Sequence, residues 1–417
     1  MAAHSSSESE PKLDLSKYRN LPLQVAGAGA VLLVLGVAIS FMSKSGLGIK
    51  QFAFSWLLAF MFYLSIMLGG LFLTILHHLF DASWSVPIRR ITEHLANLSK
   101  PMVVLWLPIG FLATTLYAWM NVADPEADHA LFSKQPLFTK EGFYITSAVC
   151  LGLWILFSHK LRHYSLKQDQ DGSFECTRKM RQWACVGILV FAVTLTFGCF
   201  MWMKALEYQW FSTMFGVYYF AGSVWLTIAT VYLITLALKR TGPLKDLAGT
   251  KQFYFLGSLL FAFTVFYSYI HFSQYFIIWN GNMPEETFFY LRREQGMWYE
   301  TGIAIIFGHF FIPFLALLRI DVKLKAWFMI PVIAWAWLMH YVDLSFNIMP
   351  MIHPTVFVPH LTDIGAMLLM GGFLASRFLK DLNSHPIFPQ KDPRMTETLG
   401  VYVQPLSEVK AAHGGAK

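Results

Sequence analysis

A chain of 417 residues is long enough for two or three soluble domains, but 56% hydrophobic residues, 14% charged residues and a mean hydropathy of +0.48 exclude that organisation. The composition is that of a polytopic membrane protein, and a net charge of +7 scattered among short loops argues against a nucleic-acid partner. Cys150, Cys176, Cys185 and Cys199 form no CxxC pair, so no disulfide framework, iron–sulfur cluster or zinc site held by this chain alone is expected.

Residues 1–23 lack the apolar core of a signal peptide and read as a cytoplasmic N-terminal tail. Apolar runs of about 20 residues then mark about ten spans, near 24–43, 52–77, 101–120, 141–158, 183–203, 212–238, 253–279, 300–318, 327–346 and 357–379. Backbone groups in hydrocarbon must be satisfied within their own element, so the spans are helices and the chain is all-α. Several runs exceed the minimum length, which predicts tilt or extension beyond the lipid. The membrane domain covers 24–380. The Pro-rich, polar remainder, 381–417, reads as a cytoplasmic arm, either folded over a partner or mobile.

Basic residues set the orientation. The second, fourth, sixth and eighth loops carry Arg89, Arg90, Lys160, Arg162, Arg178, Arg181, Lys239, Arg240, Lys245, Arg319 and Lys323, while the opposite loops are far poorer in them. By the positive-inside rule the even loops and both termini are cytoplasmic, and Asp124, Glu126 and Asp128 face outward. The same cations attract anionic lipid heads.

Residues 54–70 (FSWLLAFMFYLSIMLGG) echo 211–227 (FSTMFGVYYFAGSVWLT). Read as a repeat, the echo implies two four-helix bundles, spans 2–5 and 6–9, flanked by spans 1 and 10. Aromatics shared by lipid-facing helices would leave the same impression. Gly69–Gly70, Ala221–Gly222–Ser223 and Gly371–Gly372 suit close helix approach, and Trp119, Trp210, Trp279 and Trp298 suit interfacial anchoring.

Ionisable side chains at membrane depth are costly and therefore point to function. His77 and Asp81 end the second span before Arg89 and Arg90, as the inner mouth of a proton path or as an interfacial cap. Lys204 and Glu207 close the fifth span. His271, Gln274 and Tyr275 share a face toward the outer end of the seventh, and Glu300 opens the eighth. His309 lies mid-span between Gly308 and Pro313, as a relay point or bonded to the carbonyl freed by the proline. His340 with Asp343, and His360 with Asp363, are three apart near outer span ends. An imidazole beside a carboxylate suits proton handling. The plainer alternative is that these groups satisfy buried backbone or pair across helices. No catalytic residue and no metal ligand are assigned. The only wide histidine pair, His340 and His353, is interrupted by Pro350, which argues against a b-type haem, and nucleotide-binding and metalloprotease motifs are absent.

Four stretches carry a resemblance: HHLFDASW (77–84), YSYIHFSQYFIIWNGNMPEETFFYLRR (267–293), WAWLMHYVDLSFNIMP (335–350) and KDPRMTETL (391–399). They resemble the ActF-type subunits of bacterial alternative complex III, a quinol:cytochrome c oxidoreductase, within the NrfD-like family of membrane proteins. That resemblance implies ten helices, eight of them in two four-helix bundles, in a bacterial inner membrane. It implies partners: an ActC-type subunit usually assigned the quinol site, an iron–sulfur subunit, multihaem cytochrome c subunits and an associated haem–copper oxidase. Haem c and iron–sulfur clusters belong to those partners. This chain is expected to hold no redox centre, with menaquinone or menaquinol the one small molecule the family brings near it. His271, Gln274, Glu285, Glu286, Asp81, His340 and Asp343 fall within the matching stretches, whereas Lys204, His309 and Asp363 rest on depth alone. The role implied is a scaffold with a candidate proton path; depth added to that suggests two half-paths, His77/Asp81 inside and His271/His340/Asp343/Asp363 outside, with His309 as the candidate link. Two other classes compete: a proton-coupled secondary transporter, which predicts broken helices meeting at the midplane, and a purely structural assembly subunit.

Overall fold

The structure, a computed structural model, describes residues 20–42 and 47–398. The N-terminal tail up to residue 19 and the arm beyond 398 lie outside the described residues. No strand occurs among the described residues, and nine of their helices are long and apolar enough to cross a membrane.

The spans are α1 (Leu21–Met42), α2 (Gly48–Phe80), α3 (Ser99–Phe111, resumed at Ala113–Leu116), α4 (Lys140–Asp171), α5 (Phe174–Trp202), α6 (Phe215–Arg240), α7 (Thr250–Gly281), α8 (Met297–Leu318), α9 (Ala326–Ile348) and α10 (Leu361–Ser384). The third is the short one. The helix runs through Pro108 and breaks at Leu112 rather than running to 120. α4 and α5 run well past the lipid-length window, so the basic segment from Lys160 to Arg181 is mostly helix rather than loop. A two-residue connection turns the chain there, with Gly172 at φ +65°. α10 starts at Leu361, after Pro359, and continues to Ser384, past the expected boundary at 380.

The helices form two four-helix bundles, α2–α5 and α6–α9. α2 and α6 are the most enclosed spans, and they meet in parallel at the junction. Tyr219 donates to the Met61 carbonyl at 2.7 Å, and Thr227 reaches the Ser65 carbonyl at 3.2 Å. A Cβ at Gly69 would lie 2.0 Å from the Thr227 hydroxyl, so only glycine admits this approach. The helices bearing the sequence echo thus hold equivalent places, each leading its own bundle.

α1 and α10 pack antiparallel against each other beside α2, backbone on backbone. Cβ atoms at Gly29, Gly365 and Gly372 would fall 2.3, 2.4 and 2.4 Å from main-chain atoms of the opposing helix.

The basic face is closed by the short helix Val86–Ala96 and by the chain's own residues 385–398. The arm therefore lies on this chain over its described length, where the sequence left a partner or mobility open. Asp392 bonds to Arg89, and Arg394 reaches Asp392 at 2.9 Å and Asp81 at 2.6 Å. Lys391 donates to the Gln170 carbonyl at 2.6 Å, and Thr398 to that of Ser83 at 2.6 Å.

Candidate functional site

The second bundle is packed around a polar centre. Asp343, on α9, turns its carboxylate inward, where Oδ1 accepts from Tyr267 of α7 at 2.7 Å and also from Tyr218 of α6. Asn347, one turn further along α9, donates to the Tyr218 hydroxyl at 3.0 Å and to the Asp343 carbonyl at 2.8 Å. No lysine or arginine among the described residues pairs with Asp343; neutral hydroxyls hold its carboxylate.

His340 sits one turn before Asp343. Its Nε2 meets Ser65 Oγ of α2 at 3.0 Å, tying the centre to the first bundle. Gly222 gives the ring room, since a Cβ there would stand 3.2 Å from its Cε1. His309 completes the group, sandwiched between Trp225 and Tyr267 with ring centroids 4.0 and 3.7 Å away. It lies in a π-helical segment, Ile306–Phe311, a widened turn of the kind that often marks functional positions. The ring makes no bond to a carbonyl freed by Pro313: both nitrogens lack a partner, and Trp335 takes the Gly308 carbonyl at 2.7 Å.

Ligand-type atoms of His309, His340 and Asp343 all lie within 4.8 Å of one another. Two imidazoles and a carboxylate form a donor set that divalent transition metals accept. Chemically the same set can pass a proton through one or two waters. The nitrogens left over, both on His309 and Nδ1 on His340, are the unsatisfied groups such a water would meet.

A cavity of about 530 Å³ lies between α7 and α8 beside this centre. Tyr267 stands on its wall and touches both Asp343 and His309, so it separates cavity from cluster. His271 lines the cavity with its ring parallel to Tyr267, centroids 5.9 Å apart. The remaining walls are largely apolar, with Ile303, Phe310 and Phe346 among them.

Other predicted residues are placed elsewhere. Gln274 is buried on α7, accepting from Ser212 at 2.8 Å and donating to Tyr290 at 3.1 Å. Glu300 is exposed and outside the cluster. Asp363 is bonded elsewhere: it accepts from Ser55 at 2.5 Å and from its own N-cap amide at His360, 2.7 Å, with His353 bonded to Gln51 at 2.7 Å. The expected outer group is therefore two groups, one meeting α2 at Ser65 and the other at Ser55.

The inner pair separates as well. His77 is buried with Nδ1 on Ser85 Oγ at 2.6 Å, whereas Asp81 is half exposed and bonded to Arg394 and Arg181. Asp81 anchors the C-terminal arm. Glu285 and Glu286 lie in the first turn of the short helix Pro284–Arg293, where carboxylates complement the helix dipole. Arg293 closes that helix onto α9 and Glu207, the latter at 3.1 Å.

Lys204 is buried between spans, its ammonium 5.2 Å from the Phe200 ring centre. Burial, with Lys134 nearby, draws it down to about 7. Between pH 7 and the ordinary lysine value the unfolded chain holds a proton that the folded chain lacks, so stability rises with pH across that window. Lys204→Met should flatten this slope and raise stability at pH 6 by about 2 kcal/mol, measured as thermal unfolding in detergent at pH 6 and 9. A slope that persists in the variant would place its origin elsewhere.

Sequence reasoning missed Tyr218, Tyr267, Asn347, Ser65 and Trp225. Asn347, four residues after Asp343, and Tyr267, four residues before His271, carried a local signal; Tyr218, Ser65 and Trp225 had none to separate them from the chain's many aromatic and small residues.

Fold and site together define a polytopic α-helical membrane protein with a polar, histidine-rich centre in its second bundle. No family model matches the chain, and no curated protein matches it.

Proposed function

We propose that this chain is a non-redox membrane subunit of a quinol:cytochrome c oxidoreductase, of the ActF type in alternative complex III, and that its second bundle conducts protons. The observation that carries the reading is the Tyr218–Tyr267–Asp343 bond set beside His309 and His340, a buried chain of exchangeable groups with unpartnered ring nitrogens. The paired four-helix bundles flanked by α1 and α10 support it, being the arrangement the resemblance implies. So does the α7–α8 cavity, whose size falls in the range of small-molecule sites. A menaquinol ring there would face His271, and it would give up its protons only on oxidation, which this reading assigns to the neighbouring subunit.

Electrons in this reading pass through iron–sulfur and haem c groups of partner subunits, with an ActC-type neighbour oxidising quinol. The setting is a bacterial inner membrane with both termini cytoplasmic. The transporter alternative asks for helices unwound at the midplane; α8 is widened at its π segment but remains continuous.

The test is Asp343→Asn in the complete purified assembly reconstituted in vesicles. Proton transfer through the cluster should slow by about 10²–10⁴-fold, lowering protons released per electron while the subunit complement stays intact. An unchanged ratio would reduce the chain to a scaffold.

A further inference from the structure

The basic face holds a second large cavity, about 590 Å³, formed where α6 ends and α7 and α9 begin. Its floor is apolar: Tyr232, Leu236, Phe253, Leu324 and Ala326. Its rim is cationic: Lys239, Arg240 and Lys245.

None of these three cations pairs with a carboxylate among the described residues. Lys239 instead rests 5.2 Å from the centre of the Phe253 ring. Asp246 follows Lys245 in the same loop but makes no ion pair with the rim, and Asp321 across the face is engaged by Arg319 at 3.0 Å and Lys325 at 3.6 Å. Elsewhere on this face the buried arginines are matched: Arg89 with Glu93 and Asp392, Arg90 with Glu93 and Asp169, and Arg394 with Asp392 and Asp81. The rim of this cavity is thus a place where positive charge gathers over an apolar hollow without an anion of the chain's own.

Depth completes the description. Lys239 and Arg240 are the last residues of α6, a helix long and apolar enough to cross a membrane, Lys245 lies in the loop that follows, and the floor reaches back along the apolar parts of α6 and α7. A phosphate at the rim with hydrocarbon below matches both halves, as basic pockets between helices on this side of a membrane commonly do.

We propose that this cavity binds one anionic membrane phospholipid, its phosphodiester held by Lys239, Arg240 and Lys245 and an acyl chain seated on Phe253, Leu236 and Ala326. The proposal stands apart from the proton reading and shares no residue with it.

The test is native mass spectrometry of the full purified chain, titrated with an equimolar mixture of phosphatidylglycerol and phosphatidylcholine. The parent chain should retain one phosphatidylglycerol in preference. The combined Lys239→Gln, Arg240→Gln, Lys245→Gln variant should lose that preference by about tenfold. Ala326→Trp, which fills the hollow and keeps the charges, should lose it as well, so the claim survives or falls even if the triple variant misfolds. Arg319→Gln with Lys325→Gln, on the same face outside the cavity, should keep it. Equal loss in that control would show general surface attraction and overturn the site. Displacement of the lipid by millimolar inorganic phosphate would assign the rim to a free anion and also overturn it, as would retention of both lipids alike by the parent chain.

Discussion

Arg89→Met is expected to destabilise the protein by about 3–5 kcal/mol and to free the C-terminal arm. Arg89 is fully buried and bonds to Asp392, to Glu93 at 3.0 Å and to Ser165 at 3.1 Å. Methionine keeps much of the length but leaves Glu93 with Arg90 and the Ser165 hydroxyl and Asp392 with Arg394 alone, in a setting where water cannot make up the difference. Limited proteolysis from the basic face reports release, as cleavage within residues 385–398. An arm that stays protected in a folded variant would show that Arg394 and Asp81 suffice to hold it.

Acid should act on the same contact only weakly. Burial alone would raise the Asp392 carboxyl, but bonds from Arg394 and the charge of Arg89 outweigh it and hold the group well below the usual carboxylate range. A carboxyl depressed on folding contributes its stability above its unfolded value, near 4, and loses it only as pH falls toward the folded one. The arm therefore stays docked throughout the neutral and mildly acidic range.

The second large effect is Gly365→Leu. A Cβ at this position would stand 2.4 Å from the Leu33 amide nitrogen, which is backbone and cannot rotate away. The larger side chain must push α1 off α10, with a cost of about 3 kcal/mol or more from overpacking and lost contact. Cross-linking between cysteines placed on α1 and α10 should fall sharply, while the bundles behind α2 keep their own packing. Undiminished cross-linking would mean that the helices do not meet through these glycines.

Much of the architecture was legible in the chain itself. Of about ten apolar runs, nine became helices long and apolar enough to cross a membrane among the described residues, because length and hydropathy are local properties and hydrocarbon leaves the backbone no choice but helix. The broken third span was missed, because hydropathy does not register where a helix stops inside an apolar run. The small-residue pairs were placed rightly, with Gly69 at the α2–α6 junction and Gly372 against α1.

The site was legible only in part. His340 and Asp343 announced themselves because an acid and an imidazole one turn apart stand out against lipid-like sequence, and His309 stood out by depth. Their tyrosine partners did not, for phenols are common in membrane helices and Tyr218 lies 125 residues from the carboxylate it serves. Grouping by depth alone joined Asp363 to Asp343, although Ser55, 308 residues away, claims Asp363 instead. It likewise joined Asp81 to His77, although the arm's Arg394 takes Asp81.

By itself the sequence determined the polytopic all-helical character, the basic face and the presence of acids and imidazoles in the apolar interior, all of which follow from residue type and local period. Tertiary structure decided which of those groups share one enclosed centre. That choice depends on which helix faces pack together, and helices far apart in the chain acquire neighbours only when the bundle closes.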